Sequence, residues 1–126
     1  MIHEEICTYD VCKLAKGNGF NEYVEAFYAE GCNIAHSQGP EKWNEYNGKY
    51  AVPTQSLLQR WLREEKNIHI EIVATACGYF WIADKTNGTS ITDSELLDRG
   101  VNDGGCWDTY ELALEDALKY ALENLV

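Results

Sequence analysis

Between Pro53 and Asp84 the hydrophobic period of the chain changes from 3.6 to 2 across a single residue. Leu57, Leu58, Trp61 and Leu62 form one apolar stripe, opened by Pro53 and Thr54 and closed by Asn67. That is the signature of a capped amphipathic helix. Ile68-His69-Ile70-Glu71-Ile72 then alternates as a half-buried strand does. Ile68, Ile70, Ile72, Ala74 and Ala76 share one face, and His69, Glu71, Val73 and Thr75 share the other. Cys77-Gly78 makes a tight connection into Tyr79–Ala83, and Asn87-Gly88, the strongest short hairpin signal in the chain, leads to a third strand near Thr89–Thr92. A helix that feeds straight into a hairpin must cover the apolar face of that hairpin, which leaves few folds open.

The last helix repeats the demand. Tyr110, Ala113, Leu114, Ala117, Leu118, Ala121, Leu122 and Leu125 keep helical spacing for four turns, with Asp108 and Glu111 as a capping-box-like pair at its start. Ahead of Pro53, Thr8 caps a short helix over residues 9–16 with Val11, Cys12, Leu14 and Ala15 inward. Tyr23–Tyr28 and Cys32–His36 then pair as a hairpin around Glu30-Gly31. The expected fold is α+β in a single domain spanning 1–126: an antiparallel sheet with helices packed on one face as two layers. An N-terminal helix, hairpin and long loop fill residues 1–52, and an α-β-β-β-α unit fills residues 53–126. The loop at 37–52 and the excursion at 93–105 are the segments most open to function, because long loops in compact domains often carry it.

Composition narrows the partners. At 126 residues, 45% apolar and 25% charged, the chain can build a core without disulfides or metal. No stretch approaches a membrane span, and the acidic Met1-Ile2-His3-Glu4-Glu5 start is unlike a signal peptide. Cys7, Cys12, Cys32, Cys77 and Cys106 form no C-x-x-C pair and are odd in number, so reduced thiols in a cytoplasmic setting are expected. The net charge of −11 divides as −4 over residues 1–52, 0 over 53–88 and −7 over 89–126. Phosphate backbones are repelled by such a surface, so no direct nucleic-acid binding is expected. The one basic strip, Arg60, Arg63 and Lys66, is diluted by Glu64 and Glu65 and reads as a solvated helix face.

The order α-β-β-β-α is also that of double-stranded-RNA-binding domains, but the lysines those domains carry at the start of the last helix are replaced here by Asp108, Glu111, Glu115 and Asp116. A wider resemblance rests on Y-D-V-C-K-L-A-K-G-N-G-F from Tyr9 to Phe20, on the run from Ala51 to Ile72, and on D-T-Y-E-L-A-L-E-D-A-L-K-Y-A-L from Asp108 to Leu122. In these pieces, under half the chain, it resembles a group of small uncharacterised proteins encoded by phages and mobile elements of anaerobic gut bacteria. The resemblance implies a genomic setting and carries no activity with it.

Candidates for chemistry are sparse. His3, His36 and His69 are scattered, and His69 beside Glu71 reads as a strand-face pair. Cys77 has no neighbouring cation to lower its pKa. Cys7, Cys32 and His36 form at best a speculative metal set, and Gly104-Gly105 opens no phosphate loop. No catalytic residue, metal or cofactor is assigned. Binding is better supported, since aromatic residues dominate interface anchors. Of the fifteen aromatics, Trp61 and Trp81 suit the core, whereas Trp43, Tyr46, Tyr50 and Trp107 are candidate binding residues. Either they fold back to cap the sheet, or they anchor a partner. The expected function is a non-catalytic acidic binding protein, a phage or mobile-element factor that blocks or modulates a host protein with a basic surface, in the manner of counter-defence. The alternative is sequestration of a small nucleotide-like ligand between aromatic faces, which needs Arg60, Arg63, Lys49 or Arg99 at the pocket. A small hydrolase is a minor third reading, and a homo-oligomer stays open.

Overall fold

The computed structural model of the chain describes residues 2–29, 33–85, 90–92 and 106–126. Among the described residues, three α-helices and two antiparallel sheets make up an α+β fold. Helix α1 (Tyr9–Gly17) starts at Thr8, whose hydroxyl accepts the Val11 N–H, and buries Val11, Cys12 and Ala15. Helix α2 (Gln55–Lys66) is capped by Thr54 through the Leu57 N–H and ends at Asn67, which adopts the left-handed conformation at φ 57°. Asparagine tolerates that conformation better than other side chains, so it stops the helix and releases the chain into a strand. Helix α3 (Tyr110–Asn124) is capped one residue later than its sequence suggests. Thr109, not Asp108, accepts the Leu112 N–H, because a cap oxygen must sit directly before the first turn to reach it.

In the first sheet β1 (Val24–Tyr28) lies between β2 (Ile34–Glu41) and β3 (Tyr50–Ala51). The 37–52 segment is therefore not the long structureless loop expected of it. Strand β2 continues through Gly39 and Pro40 to pair Glu41 with Val24 across a register irregularity. A proline is accommodated there because β2 is an edge strand, with one row of backbone groups unpaired in any case. A 3-10 turn at Trp43–Glu45 then leads back to β3. In the second sheet, β4 (Ile68–Thr75), β5 (Gly78–Lys85) and β6 (Ser90–Thr92) follow in sequence order, and β4 pairs with β5 unbroken from Ile68↔Lys85 to Thr75↔Gly78. The Glu30-Gly31 and Asn87-Gly88 turns, Cys32 and the 93–105 excursion lie outside the described residues.

Helices α2 and α3 cover one face of the second sheet, and α1 packs on α3 and β3. Trp81, Leu58, Leu62, Ile68 and Leu118 are fully buried between these layers, and Trp61 also belongs to the core. His69, Glu71 and Asp84 point the other way into solvent. One polar joint ties all three helices together. The Glu115 carboxylate of α3 accepts from the Thr8 backbone at 3.0 Å and the Thr8 hydroxyl at 2.8 Å, while Gln55 of α2 donates to it at 2.9 Å. A carboxylate at the start of α1 also complements the positive end of that helix.

Cys7 and Cys12 lie beside this joint, both fully buried. Burial first, and the nearby Glu115 charge second, hold both thiols well above the ordinary thiol range. Among the described residues Cys7, Cys12 and Cys106 are free and buried, whereas Cys77 is exposed. Of these four, a thiol reagent at pH 8 is therefore expected to label Cys77 rapidly in the native protein, and Cys7 and Cys12 only after unfolding. The folded state keeps two protons that the unfolded chain releases above about pH 8.5, so stability is full below that pH and declines above it. The slope attributable to each thiol approaches ~1.4 kcal/mol per pH unit. Denaturant titrations at pH 8 and pH 10 should show that decline, and replacing both residues with alanine should flatten it. A native-state reaction of Cys7 or Cys12 as fast as that of Cys77 would contradict the burial.

Candidate functional site

The outer face of the first sheet is built from rings and lysines. Trp43, held by the 3-10 turn, folds back over β1: its indole N–H donates to the Val24 carbonyl at 3.0 Å and its ring lies 4.4 Å from that of Phe27. Tyr46 follows at 5.6 Å from Trp43. Gly48 then turns the chain at φ +76°, a conformation glycine reaches without strain, and so brings Lys49 back over the same rings. Its ammonium sits 4.9 Å from Phe27, 5.1 Å from Trp43 and 5.1 Å from Tyr46, within the range of cation–π attraction.

A second lysine fixes this turn from beneath. Lys16 of α1 donates to the Tyr46 carbonyl at 2.9 Å and the Lys49 carbonyl at 2.8 Å, and lies 5.0 Å from the Tyr50 ring. Tyr50 meets Tyr9 edge-on at 5.5 Å, and Tyr9 meets Tyr28 in the same way. Lys13 over Tyr9 and Lys42 over Tyr23 complete the pattern. All four lysines that precede Pro53 thus face aromatic rings.

Three of the four aromatic residues singled out by sequence are therefore neighbours. Trp43 and Tyr50 are half-buried against the core, whereas Tyr46 stays 43% exposed. Trp107 is elsewhere. It forms a β-bridge with Tyr79 ahead of α3, and its indole nitrogen is buried without a hydrogen-bond partner among the described residues. The basic strip on α2 is largely engaged: Arg60 pairs with Glu64, and Lys66 lies over Trp61.

A second feature had no counterpart in the sequence pattern. A groove runs between β1 and α2, along most of the helix from Thr54 to Glu65, in two compartments that both have Leu57 in their lining. One, of about 300 Å³, is lined by Ile6, Tyr23, Val24, Glu25, Ala26, His36, Val52 and Thr54. The other, of about 360 Å³, is lined by Glu22, Arg60, Trp61, Glu64 and Glu65. Its apolar residues come from the N-terminal segment, β1 and α2, so no single period announces them. The nearest signal in the sequence is that Glu22 and Glu25 bracket Tyr23, a large ring at a polar strand start.

Cys77 occupies a hairpin tip, His69 is opposite Asp84 across the β4–β5 pair, and His36 lines the smaller compartment of the groove together with Glu25 and Tyr23. No three histidine, cysteine, aspartate or glutamate side chains converge on a metal-sized site among the described residues, and none of their helices is long and apolar enough to cross a membrane. No known protein family, curated protein or solved structure matches the chain.

Proposed function

We propose that this chain is a non-catalytic binding protein that presents an acidic surface to a basic protein partner. One observation supports the reading above others: the lysines of the first half of the chain lie on rings and backbone carbonyls. Glu22, Glu25, Glu41, Glu64 and Glu65 meanwhile stand exposed around β1 and α2. A surface so arranged speeds encounter with a positively charged partner and disfavours acidic ones. Tyr46 offers an aromatic anchor at its edge. In the phage or mobile-element setting implied by the resemblance, the partner is a host protein whose basic face is blocked, or a protein of the same element that is modulated. The cytoplasm is the expected compartment.

The test is affinity capture from a bacterial lysate followed by a salt titration of the purified pair. A single partner with a basic face is expected, retained at ~50 mM salt and weakened steeply by ~300 mM, beyond the range where surface charges are screened. A partner whose affinity ignores salt, or one that is itself acidic, would overturn the reading. Lys49 among Phe27, Trp43 and Tyr46 gives some support to a second reading, a nucleotide-like ligand held against the rings. Recovery of a bound nucleotide from the purified protein, lost in a Lys49→Ala variant, would favour it.

A further inference from the structure

We infer that the groove between β1 and α2 is the seat of that partner, and that it takes a basic segment carrying one large apolar side chain. The inference rests on the acidic-binder reading and adds the place and the chemistry of contact. Its floor is apolar. Leu57 and the buried Val24, Ala26 and Val52 line it, together with Ile6, which keeps 38% of its surface exposed. Tyr23, 63% exposed, forms one wall. Large apolar side chains left open to water within one cavity are a mark of binding surfaces, and about 300 Å³ is at the lower end of the size of ligand sites.

The rim selects the charge of the occupant. Glu25 flanks the apolar compartment, and Glu22, Glu64 and Glu65 flank the adjoining one. Against these four carboxylates stand three cations, each already engaged: Arg60 pairs with Glu64, Lys66 lies 5.4 Å from the Trp61 ring and Lys42 lies 5.2 Å from the Tyr23 ring, which leaves the rim acidic by one charge. An occupant with lysine or arginine on both sides of a leucine, methionine or aromatic residue matches both halves of the groove: the apolar side chain enters beside Ile6 and Leu57, and the flanking cations meet the glutamates. Burial of the apolar group supplies the affinity, and the carboxylates set the sign of charge that is accepted.

Two eleven-residue peptides rich in lysine and identical except for a central leucine or serine provide the probe. In nuclear magnetic resonance titrations of the full chain at about 50 mM salt, the leucine peptide is expected to shift the backbone amides of Ile6, Tyr23, Ala26, His36 and Leu57 saturably. It should bind roughly tenfold more tightly than the serine peptide, the ratio expected for about half the burial of one leucine side chain. Tyr23→Ser, and Glu22→Lys combined with Glu25→Lys, should each weaken the leucine peptide at least ~fivefold. Glu71→Lys combined with Glu123→Lys, the same change of net charge at distant exposed sites, should stay within about twofold. All of the substituted positions, Glu22, Tyr23, Glu25, Glu71 and Glu123, are exposed side chains, so the variants are expected to fold, which a thermal melt checks. Equal affinity for the two peptides, or shifts spread over other acidic surfaces, would overturn the groove while leaving the acidic-binder reading standing. Failure of both peptides to bind would overturn the two together.

Discussion

Leu118→Asp is expected to leave no cooperatively folded protein at 25 °C. Leu118 sits at zero exposure in the middle of α3, in the cluster that includes Trp81, Leu58 and Leu62. The substitution removes a buried leucine, worth ~2–5 kcal/mol, and adds a carboxylate that finds no cation in an apolar layer. An unpaired buried charge costs several kcal/mol more, and the combined loss is comparable with the ~5–15 kcal/mol that holds a domain together. Circular dichroism and a thermal melt read the outcome directly. If the variant melts cooperatively within a few degrees of the parent, α3 is not packed against the second sheet as described.

The rings of the outer face separate stability from recognition. Trp43→Ala removes a half-buried indole, its hydrogen bond to Val24 and the stack on Phe27, so a loss of about 2–3 kcal/mol is expected, below the ~3–5 kcal/mol of a fully buried tryptophan. Tyr46→Ala should change stability by less than ~1 kcal/mol, because that side chain is substantially exposed. As an anchor it should instead weaken the captured partner by about thirtyfold, equivalent to ~2 kcal/mol. Chemical denaturation and a binding isotherm on the two variants give the comparison. Unchanged partner affinity in Tyr46→Ala would remove this face from the interface and leave its rings with a structural role alone.

What could be read from the chain before its structure follows from the range of the forces involved. Helices α2 and α3 and the β4–β5 hairpin were visible because Leu57, Leu58, Trp61 and Leu62, and then Ile68, Ile70 and Ile72, repeat at the period of the element they form. Asn67 marked the boundary by local backbone sterics. Strand β2 was harder: Gly39 and Pro40 disfavour a strand locally, and only its position at the sheet edge makes them acceptable. The cap of α3 was misplaced by one residue because Asp108 and Thr109 are both good caps, and the helix begins at Tyr110, directly after Thr109. The clustering of Trp43, Tyr46 and Tyr50 was legible from their proximity in sequence. Lys16 beneath them was not, since it reaches across 30 and 33 positions to the carbonyls of Tyr46 and Lys49. The groove was invisible for the same reason, as Ile6, Tyr23, His36 and Leu57 are gathered by tertiary packing alone.

The Glu115 joint also sets the order in which the chain can be completed as it is made. Thr8 waits for a partner 107 positions later, and Asn18 for the Leu122 carbonyl 104 positions later. At ~5–20 residues per second, synthesis separates these groups by about 5–20 seconds. Until α3 emerges, the face of α1 that packs on it is uncovered, and the Glu115 carboxylate that helps to hold Cys7 and Cys12 protonated is absent. Docking of α3 is thus the step that closes this face and completes the surroundings of the two thiols.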